Sequence, residues 1–276
     1  MGQSNNGIAK KTALSGMLPE EIAALCNLPQ RFQSLQIFQW IARGCTSFEE
    51  MTNLPLKERE RLAGEYTPRN TVCETVLKDP DGTVKLGVGL HDGSSIETVL
   101  LFDKAARKTA CVSCQVGCPM GCAFCQTGQL GCLRNLSPNE IVEQFLHLEK
   151  ICGKLDNIVF MGMGEPLLNL DSIAKTIAVL THPKGRNLSH RRITLSTSGI
   201  CKGFYELADS RLDIRLAVSL TTADEDLRTT LMPVTKANPL TELKKAIRYF
   251  NDKTDKRVTL ELALLKNVNT SYKAAQ

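Results

Sequence analysis

The sequence predicts an α/β fold built around a parallel sheet, and three observations support this class. Short apolar runs typical of buried strands alternate with longer runs in which apolar residues recur at helical spacing. The alternation is regular from residue 105 onward, which is the pattern of repeated βα units. Before it, the chain is helical in pattern and then rich in strand signals. We therefore expect a helical domain, a β-rich connector and a βα core, in that order.

The part of the chain before the core divides into three segments. Residues 1–16 lack the apolar centre of a signal peptide and predict a flexible tail. Residues 17–70 contain three helical patterns and predict a small accessory domain, in which Gly44 is expected to end a helix. Residues 71–104 contain three strand-like runs, and the turn "PDG" joins the first two. This connector is expected to form antiparallel strands.

The core, residues 105–276, contains five strand-like runs separated by helical stretches. The runs are "TACVSCQV", "NIVFMGMG", "RITLSTSG", "IRLAVSL" and "VTLELALL". The first helix after the cysteine-rich segment is well defined, because Ser137, Pro138 and Glu140 have the spacing of a capping box. Barrel enzymes bind ligands at the carboxyl ends of such strands, so we look for the site there.

Composition limits the class of protein. A chain of 276 residues, 42% hydrophobic and 23% charged, is ordinary for a globular protein with a buried core. The net charge of +5 is mild and compatible with an anionic partner. No apolar run reaches the length of about eighteen residues that a membrane-spanning helix needs. Without a signal peptide we expect a cytoplasmic protein, in which clustered thiols bind metal or do redox chemistry more often than they form structural disulfides.

Five of the eleven cysteines lie in one short segment, "CVSCQVGCPMGCAFCQTG". Cys118, Cys122 and Cys125 have the spacing C-x3-C-x2-C. Three thiolates on one loop can bind three irons of a [4Fe–4S] cluster and leave the fourth iron free for a ligand. Structural zinc prefers four ligands in paired C-x2-C motifs, and the C-x3-C-x2-C spacing of these three cysteines is not such a pair. A zinc site that uses Cys114 or Cys111 as the fourth ligand is the alternative.

This spacing, with an aromatic residue before the last cysteine, resembles the radical S-adenosylmethionine enzymes. Within them, the chain resembles the adenine-C2 RNA methyltransferases from about residue 17 to its end. The segments that carry the resemblance are "QIFQWIARGCTSFEEMTNLP", "CVSCQVGCPMGCAFCQTGQLGCLRNLSPNEIVEQ", "MGMGEPLLN", "RRITLSTSG", "LAVSL" and "LMPV". The resemblance implies a partial (β/α)6 barrel, which in this chain is expected to stop after the fifth strand.

The resemblance also implies an activity, cofactors and partners. The activity is methyl transfer to C2 of an adenine in 23S rRNA, at the peptidyl transferase centre, and in tRNA near the anticodon, through a methyl-cysteine and a 5′-deoxyadenosyl radical. The cofactors are one [4Fe–4S] cluster on Cys118, Cys122 and Cys125 and S-adenosylmethionine. The partners are 23S rRNA, tRNA and an electron donor such as flavodoxin, and the enzyme is expected to be a monomer without a membrane partner. The residues that match the S-adenosylmethionine contacts are Gly164, Glu165, Ser196, Ser219, Leu220 and Thr221.

Two further residues match functional positions of the family. Glu97 matches the carboxylate that accepts the proton from the adenine carbon, a role that requires a dry site. Cys111 matches the redox cysteine that resolves a covalent protein–RNA adduct through a disulfide bond. The accessory domain, residues 17–70, is expected to hold RNA by analogy with the family. Basic segments such as "KERERL" and "KGRNLSHRR" are candidates for phosphate contacts, although charged runs are more often solvated surfaces.

The chain departs from the family pattern at several positions. Cys114 replaces a serine, Cys132 replaces an aromatic residue, and Thr221 replaces a histidine. The family also uses a methyl-carrying cysteine near the carboxyl terminus, whereas the last cysteine here is Cys201. We therefore expect a shortened chain of a parent enzyme that cleaves S-adenosylmethionine but does not methylate RNA by itself. The alternatives are an adenine-C8 rRNA methyltransferase of the antibiotic-resistance type and a non-catalytic RNA-binding protein with a structural metal.

Overall fold

The computed structural model describes residues 11–28 and 30–275. Its helices are α1 (Pro19–Leu25), α2 (Arg31–Ala42), α3 (Leu56–Glu65), α4 (Gln126–Gln129), α5 (Pro138–Cys152), α6 (Leu170–Thr181), α7 (Cys201–Asp209), α8 (Glu225–Leu231), α9 (Leu240–Thr254) and α10 (Tyr272–Ala275). Its strands are β1 (Thr12–Ala13), β2 (Tyr66–Thr67), β3 (Val72–Lys78), β4 (Val84–Gly89), β5 (Ser95–Phe102), β6 (Lys108–Cys111), β7 (Gln115–Gly117), β8 (Cys132–Asn135), β9 (Asn157–Phe160), β10 (Ile193–Thr197), β11 (Arg215–Ser219) and β12 (Val258–Glu261). Short 3-10 helices cover Phe48–Glu50, Pro166–Leu168, His190–Arg192 and Pro233–Lys236.

An eight-stranded sheet forms the centre of the molecule, in the order β12-β11-β10-β9-β6-β5-β4-β3. Strands β6 and β9 to β12 are parallel, with Ala110 opposite Ile158 and Ala217 opposite Thr259. Strand β4 pairs antiparallel with both β3 and β5, and β5 pairs antiparallel with β6. The predicted α/β class with five parallel strands and a barrel that does not close is therefore confirmed.

The parallel strands lie in the core because helices cover them. Phe160 and Leu195 on β9 and β10 are buried, as are Ile141 and Phe145 on α5. The α5 helix begins as predicted, since the Ser137 backbone N–H donates to Oε2 of Glu140 at 2.9 Å. Apolar residues at helical spacing thus place α5 against the sheet, and the cap defines where the helix starts.

One predicted strand is two separate strands in the structure. The run "TACVSCQV" supplies β6, in the large sheet, and β7, which pairs with β8 in a separate two-stranded sheet. Between them the chain leaves the large sheet, because the Cys114 N–H donates to the Met163 carbonyl and the Cys114 carbonyl accepts from the Leu136 N–H. The result is a hairpin arm, β7–β8, that strand propensity alone did not predict.

The predicted tail, residues 1–16, is ordered at its end. Residues 1–10 lie outside the described residues, but β1 pairs in parallel with β2, and Leu14 is fully buried. The Ser15 hydroxyl donates to the buried Glu143 carboxylate at 2.6 Å. The apolar core that contains Leu14 also includes residues of α2 and α6, so the helical segment packs on the βα core. The domain boundaries themselves stay predictions. Within the described residues, no helix is both long and apolar enough to cross a membrane.

Candidate active site

The cysteine loop lies between the two strands of the hairpin arm. At its base, the Cys118 N–H donates to the Gly131 carbonyl at 2.7 Å. Gly117 has φ +84°, and a Cβ there would overlap the Gly131 carbonyl oxygen, so only glycine fits. Further along, the Ala123 N–H donates to the Leu231 carbonyl at the end of α8, at 2.8 Å. These contacts fix the loop to the arm on one side and to the βα core on the other.

The three thiols predicted to bind a cluster all lie on this loop. Cys118 and Cys122 are buried and Cys125 is half-buried, and the Cys125 N–H donates to the Cys122 carbonyl at 3.0 Å. Burial raises the pKa of Cys122 to about 11, and the negative charges of Cys118 and Cys125 add to the shift. Burial also raises the pKa of Cys118, so Cys118 and Cys122 stay protonated at neutral pH until a metal displaces their protons.

The donor set fits an iron–sulfur cluster better than a single ion. Within the described residues, no three His, Cys, Asp or Glu side chains form a group that could hold a metal ion. A zinc ion requires four ligands around one point, and the zinc alternative has no preformed site in that part of the chain. The thiolates of a [4Fe–4S] cluster bind separate irons, so they must lie near one another but do not have to converge on one point.

Gly164 follows β9 and approaches the hairpin arm closely. Its φ is +109°, and a Cβ at this position would come within 2.7 Å of the Gln115 Cβ and 2.8 Å of the Cys114 Sγ. Any side chain at 164 would therefore clash with the arm. The contact also gives Cys114 a structural position, because its thiol is buried against the glycine loop. Burial raises the pKa of Cys114 well above its ordinary value.

Glu165 is a buried carboxylate with its own hydrogen-bond partners. Its Oε2 accepts from the Ser198 N–H at 2.8 Å and the Ser198 hydroxyl at 2.7 Å, and its Oε1 accepts from the Leu167 N–H at 3.2 Å. Burial raises its pKa, and the Ser198 bonds oppose that shift. Its charge contributes to the raised pKa of Cys118, after the larger effect of burial. The carboxylate is thus oriented and lies near the cysteine loop.

Two serines at the ends of neighbouring strands face each other. The Oγ atoms of Ser196 on β10 and Ser219 on β11 are 3.4 Å apart. Ser196 Oγ also lies 3.5 Å from Oε2 of Glu261, the last residue of β12. Parallel strands bring their carboxyl ends to one edge, so this grouping follows from the predicted topology. Glu261 was not predicted as a site residue, although its place at the end of the fifth strand was a signal.

Thr221 occupies a strained backbone position beside this edge. It is buried and has φ +63°, which is rare for a β-branched residue and costs of order 1–3 kcal/mol. Its N–H donates to the Glu261 carbonyl at 3.1 Å, and its carbonyl accepts from the Asn269 side-chain amide at 2.9 Å. The Leu220 N–H also donates to the Glu261 carbonyl, at 2.9 Å. Backbone contacts therefore hold the Leu220–Thr221 turn in place.

Arg228 is a buried cation that the sequence analysis did not single out. Its Nε donates to the Leu220 carbonyl at 3.0 Å, its Nη2 to the Ser198 carbonyl at 2.7 Å, and its Nη1 to the Thr235 hydroxyl at 2.7 Å. Among the described residues, no carboxylate lies within 4.0 Å of it. The guanidinium thus ties together the loops after β10 and β11, and its charge lowers the pKa of Cys122, against the larger effect of burial.

Glu97 comes to the site from the antiparallel part of the sheet. Its Oε1 lies 2.8 Å from Lys85 Nζ on β4, and about half of each side chain is exposed. Its backbone N–H contacts the Met163 Sδ at 3.4 Å, and its carbonyl accepts from the Ser113 hydroxyl at 2.6 Å. Glu97 therefore lies next to the glycine loop, but in an ion pair open to water and not in a dry pocket.

Cys111 ends β6, opposite Val99 on β5 and Val159 on β9. It is half-buried, and burial raises its pKa to about 11. All eleven cysteines lie in the part of the chain that the structure describes, and each is a free thiol. The disulfide expected for Cys111 is therefore not formed in this structure. Cys132 is exposed and lies opposite Gly117 in the arm, beside Cys118.

The predicted residues group around one edge of the sheet. The cysteine loop, the glycine loop, the two serines and Thr221 all follow the carboxyl ends of parallel strands or the hairpin arm between them. The residues that sequence reasoning missed are Lys85, Arg228, Glu261 and Asn269.

Two family models match the chain. Residues 112–273 match the "Radical SAM superfamily", and residues 25–67 match the "Ribosomal RNA large subunit methyltransferase N-terminal domain". The first match contains the cysteine loop, the glycine loop and both serines. The second falls within the helical segment that contains α2 and α3.

Known proteins resemble the chain over most of its length. A probable dual-specificity RNA methyltransferase RlmN from Treponema denticola is 66% identical, covering 96% of this chain and 77% of the relative. Its counterpart from Treponema pallidum is 60% identical, covering 96% of this chain and 78% of the relative. The crystal structure of a radical SAM methyltransferase from Sphaerobacter thermophilus superposes with a TM-score of 0.90 at 38% identity, covering 96% of this chain and 80% of that one.

Proposed function

This chain belongs to the radical S-adenosylmethionine superfamily and, within it, to the family of dual-specificity RNA methyltransferases, and we propose that it acts at C2 of an adenine in 23S rRNA and in tRNA. The observation that carries the proposal is the arrangement of three features at one edge of the sheet. They are the three thiols of the cysteine loop, Gly164, at which no side chain would fit, and the facing hydroxyls of Ser196 and Ser219. In rRNA the proposed target lies at the peptidyl transferase centre, and in tRNA it lies near the anticodon.

We assign Cys118, Cys122 and Cys125 as the ligands of one [4Fe–4S] cluster. When bound, the cluster and S-adenosylmethionine supply a one-electron reductive cleavage that yields a 5′-deoxyadenosyl radical. The chain contributes three soft thiolates on a loop that hydrogen bonds to Gly131 and Leu231 hold in place. Because burial raises the pKa of Cys118 and Cys122, cluster binding releases protons and is favoured as pH rises.

We assign the strand-end residues to S-adenosylmethionine. At Gly164 the absence of a side chain leaves the backbone open to the ligand. The Glu165 carboxylate, which Ser198 and Leu167 hold in one orientation, has lone pairs left to accept from the ligand's amino group. The remaining contacts are assigned to the Ser196 and Ser219 hydroxyls and to Leu220 and Thr221, whose backbone positions the Glu261 carbonyl holds.

We assign Glu97 as the acceptor of the proton that leaves the adenine ring carbon. Lys85 Nζ lies 2.8 Å from Oε1 of Glu97 and holds the carboxylate in one position. Binding of the RNA base would exclude water from a carboxylate that is half-exposed in the free protein. The Glu97 backbone contact with Met163 supports its placement beside the S-adenosylmethionine site.

We assign Cys111 as the thiol that releases the protein–RNA adduct. Its sulfur, once deprotonated, would bond to the sulfur of the methyl-carrying cysteine while the bond from that sulfur to the RNA methylene breaks, and the electron pair of that bond passes to the methylene carbon, which takes up a proton and becomes the methyl group. The Cys111 pKa of about 11 means that this thiol stays protonated and unreactive at neutral pH until a base removes its proton. Residues 202–276 contain no cysteine, so the methyl-carrying thiol of this family has no candidate there. An electron donor such as flavodoxin, a monomeric state and a cytoplasmic location stay predictions.

Two assays test the proposal. The 276-residue protein, reconstituted with iron and sulfide and then reduced, is incubated with S-adenosylmethionine, and release of 5′-deoxyadenosine is measured. The same chain, extended by the carboxyl-terminal segment of the Treponema denticola relative, is incubated with unmodified 23S rRNA and tRNA, and nucleosides are identified by mass spectrometry. We expect 5′-deoxyadenosine in the first assay and 2-methyladenosine in the second.

Other products would overturn the proposal. Formation of 8-methyladenosine would identify the adenine-C8 methyltransferase. A protein that binds one zinc ion, takes up no iron and yields no 5′-deoxyadenosine would be the non-catalytic alternative.

A further inference from the structure

A cleft lies at the edge of the parallel sheet opposite the candidate active site. It has a volume of about 600 Å³ and lies where the carboxyl ends of α2 and α5 meet the loop after α6. Lys154 and Lys184, which line it, belong to the loops that precede β9 and β10. It therefore opens at the amino ends of these strands, away from the cysteine loop.

Five of the fourteen residues that line this cleft are basic. They are Arg43, Lys150, Lys154, Lys184 and Arg186. The acidic residues are Glu50, which accepts from the Thr46 and Ser47 amides, and Glu149, whose Oε1 pairs with Arg186 Nε at 2.7 Å. After that pairing, the cleft keeps a clear excess of positive charge.

Four of the cations have no acidic partner. Arg43, Lys150, Lys154 and Lys184 are exposed, and among the described residues none has a carboxylate within 4.0 Å. Cations near helix ends often compensate the helix dipole, and this explains Arg43 at the end of α2 and Lys150 in the last turn of α5. It does not explain Lys154 and Lys184, which lie beyond the helices. Like charges around one cleft repel each other unless an anion binds between them.

The walls of the cleft are preformed. The Arg186 guanidinium donates to the Leu155 carbonyl at 2.6 Å and lies 5.6 Å from the centre of the Phe145 ring. A Cβ at Gly185 would come within 2.5 Å of Phe38 on α2, so the loop that carries Lys184 packs tightly against the helical segment. A ligand would therefore meet a backbone that is already in place, and ordering on binding would be confined to the exposed side chains of the cations.

We propose that this cleft binds the phosphate backbone of the substrate RNA at a point distant from the modified adenine, an inference that rests on the proposed function. None of the residues that line it is aromatic, so base stacking is not its purpose. Lysine and arginine contacts to phosphates are independent of sequence. A contact of this kind suits an enzyme that modifies both rRNA and tRNA, because every RNA offers the same phosphate backbone.

The test removes three charges from the cleft. A triple variant, Lys150→Ala, Lys154→Ala and Lys184→Ala, is compared with a control, Lys78→Ala, Lys104→Ala and Lys244→Ala, whose exposed lysines lie elsewhere. Binding of a tRNA transcript to the reconstituted protein is measured over a range of salt concentrations. We expect the cleft variant to bind about 10-fold more weakly or worse near 0.1 M salt and its salt slope to fall by about 2–3, whereas the control stays close to wild type.

Further measurements distinguish RNA phosphate from free phosphate as the ligand, and distinguish failure of this proposal from failure of the proposed function. A short RNA hairpin with only the target loop should bind both variants equally, because it does not reach the cleft. Equal losses in both triple variants would overturn the proposal. The proposal would also be overturned if wild type bound inorganic phosphate tightly and the cleft variant lost that binding while its affinity for RNA stayed unchanged. Both variants should release 5′-deoxyadenosine at the wild-type rate. Absence of that release in wild type would instead refute the proposed function.

Discussion

The two halves of the eight-stranded sheet differ in how they are covered, and the difference accounts for where the site lies. In the parallel half, Phe160 and Leu216 are almost fully buried, because helices pack against these strands. In the antiparallel half, Leu77 is 58% exposed and Val72 is 63% exposed. Antiparallel hairpins need no crossover helix, so one face of β3 to β5 stays open to solvent.

This difference affects how well each half can position functional groups. The loops after the parallel strands follow directly from buried strands, and Arg228 donates hydrogen bonds to the Leu220 and Ser198 carbonyls in two of them. They carry close contacts such as that of Gly164 with the hairpin arm. The antiparallel half contributes Glu97, which one half-exposed lysine orients. We infer that the parallel half preorganises ligand binding and that Glu97 depends on bound RNA to complete its surroundings.

The largest expected effect is on the cluster. Cys122→Ala should abolish iron binding, because two thiols of the loop cannot hold the cluster. Cys132→Ala should leave the iron content unchanged, since that thiol is exposed on the arm and outside the proposed ligand set. Iron content and visible absorbance after anaerobic reconstitution measure both. A full complement of iron in Cys122→Ala protein would refute the ligand assignment.

A paired core deletion tests the comparison directly. Phe160→Ala in the parallel half should lower the free energy of unfolding by about 3–5 kcal/mol, because it leaves a cavity under covering helices. Leu77→Ala in the antiparallel half should change it by no more than about 0.5 kcal/mol, because the side chain is already in water. Urea denaturation of the apo protein measures both. Similar losses at the two positions would show that the halves are equally covered in solution.

Glu165 should make the apo protein less stable as pH rises. Burial raises the pKa of Glu165 in the folded state above its unfolded value. Its contribution to stability is therefore fully present below the unfolded pKa and is lost as pH rises through the folded pKa. Glu165→Gln should flatten this decline in the free energy of unfolding and weaken S-adenosylmethionine binding. An identical pH slope in wild type and variant would contradict the assignment of a buried, ionisable carboxyl.

The smallest expected effect concerns the ion pair in the antiparallel half. Lys85→Met should lower the free energy of unfolding by no more than about 1 kcal/mol, because a half-exposed pair is weakened by water. The loss should disappear near 1 M salt, where surface charges are screened. Lys78→Met, on the neighbouring strand β3, is the matched control. A salt-independent loss above about 2 kcal/mol would place this pair in a buried environment like that of the parallel half.

Local patterns in the sequence were sufficient for much of the fold and for the chemistry of the site. Apolar periodicity predicted β9 to β12, and the Ser137–Glu140 spacing predicted the start of α5. The cysteine spacing pointed to a cluster, because three thiols within one loop are close whatever the rest of the chain does. Such signals succeed because they depend on residues that are near one another in sequence.

Only the tertiary structure decided what joins these parts. The hairpin arm exists because Cys114 pairs with Met163 and Leu136 instead of continuing β6. Arg228 acquires a role only where the loops after β10 and β11 meet, and Lys85 meets Glu97 only through the register of β4 and β5. The basic cleft likewise forms where the ends of α2 and α5 meet the loop after α6. These contacts join residues far apart along the chain, and their geometry depends on how covered strands and helices pack, which no local pattern specifies.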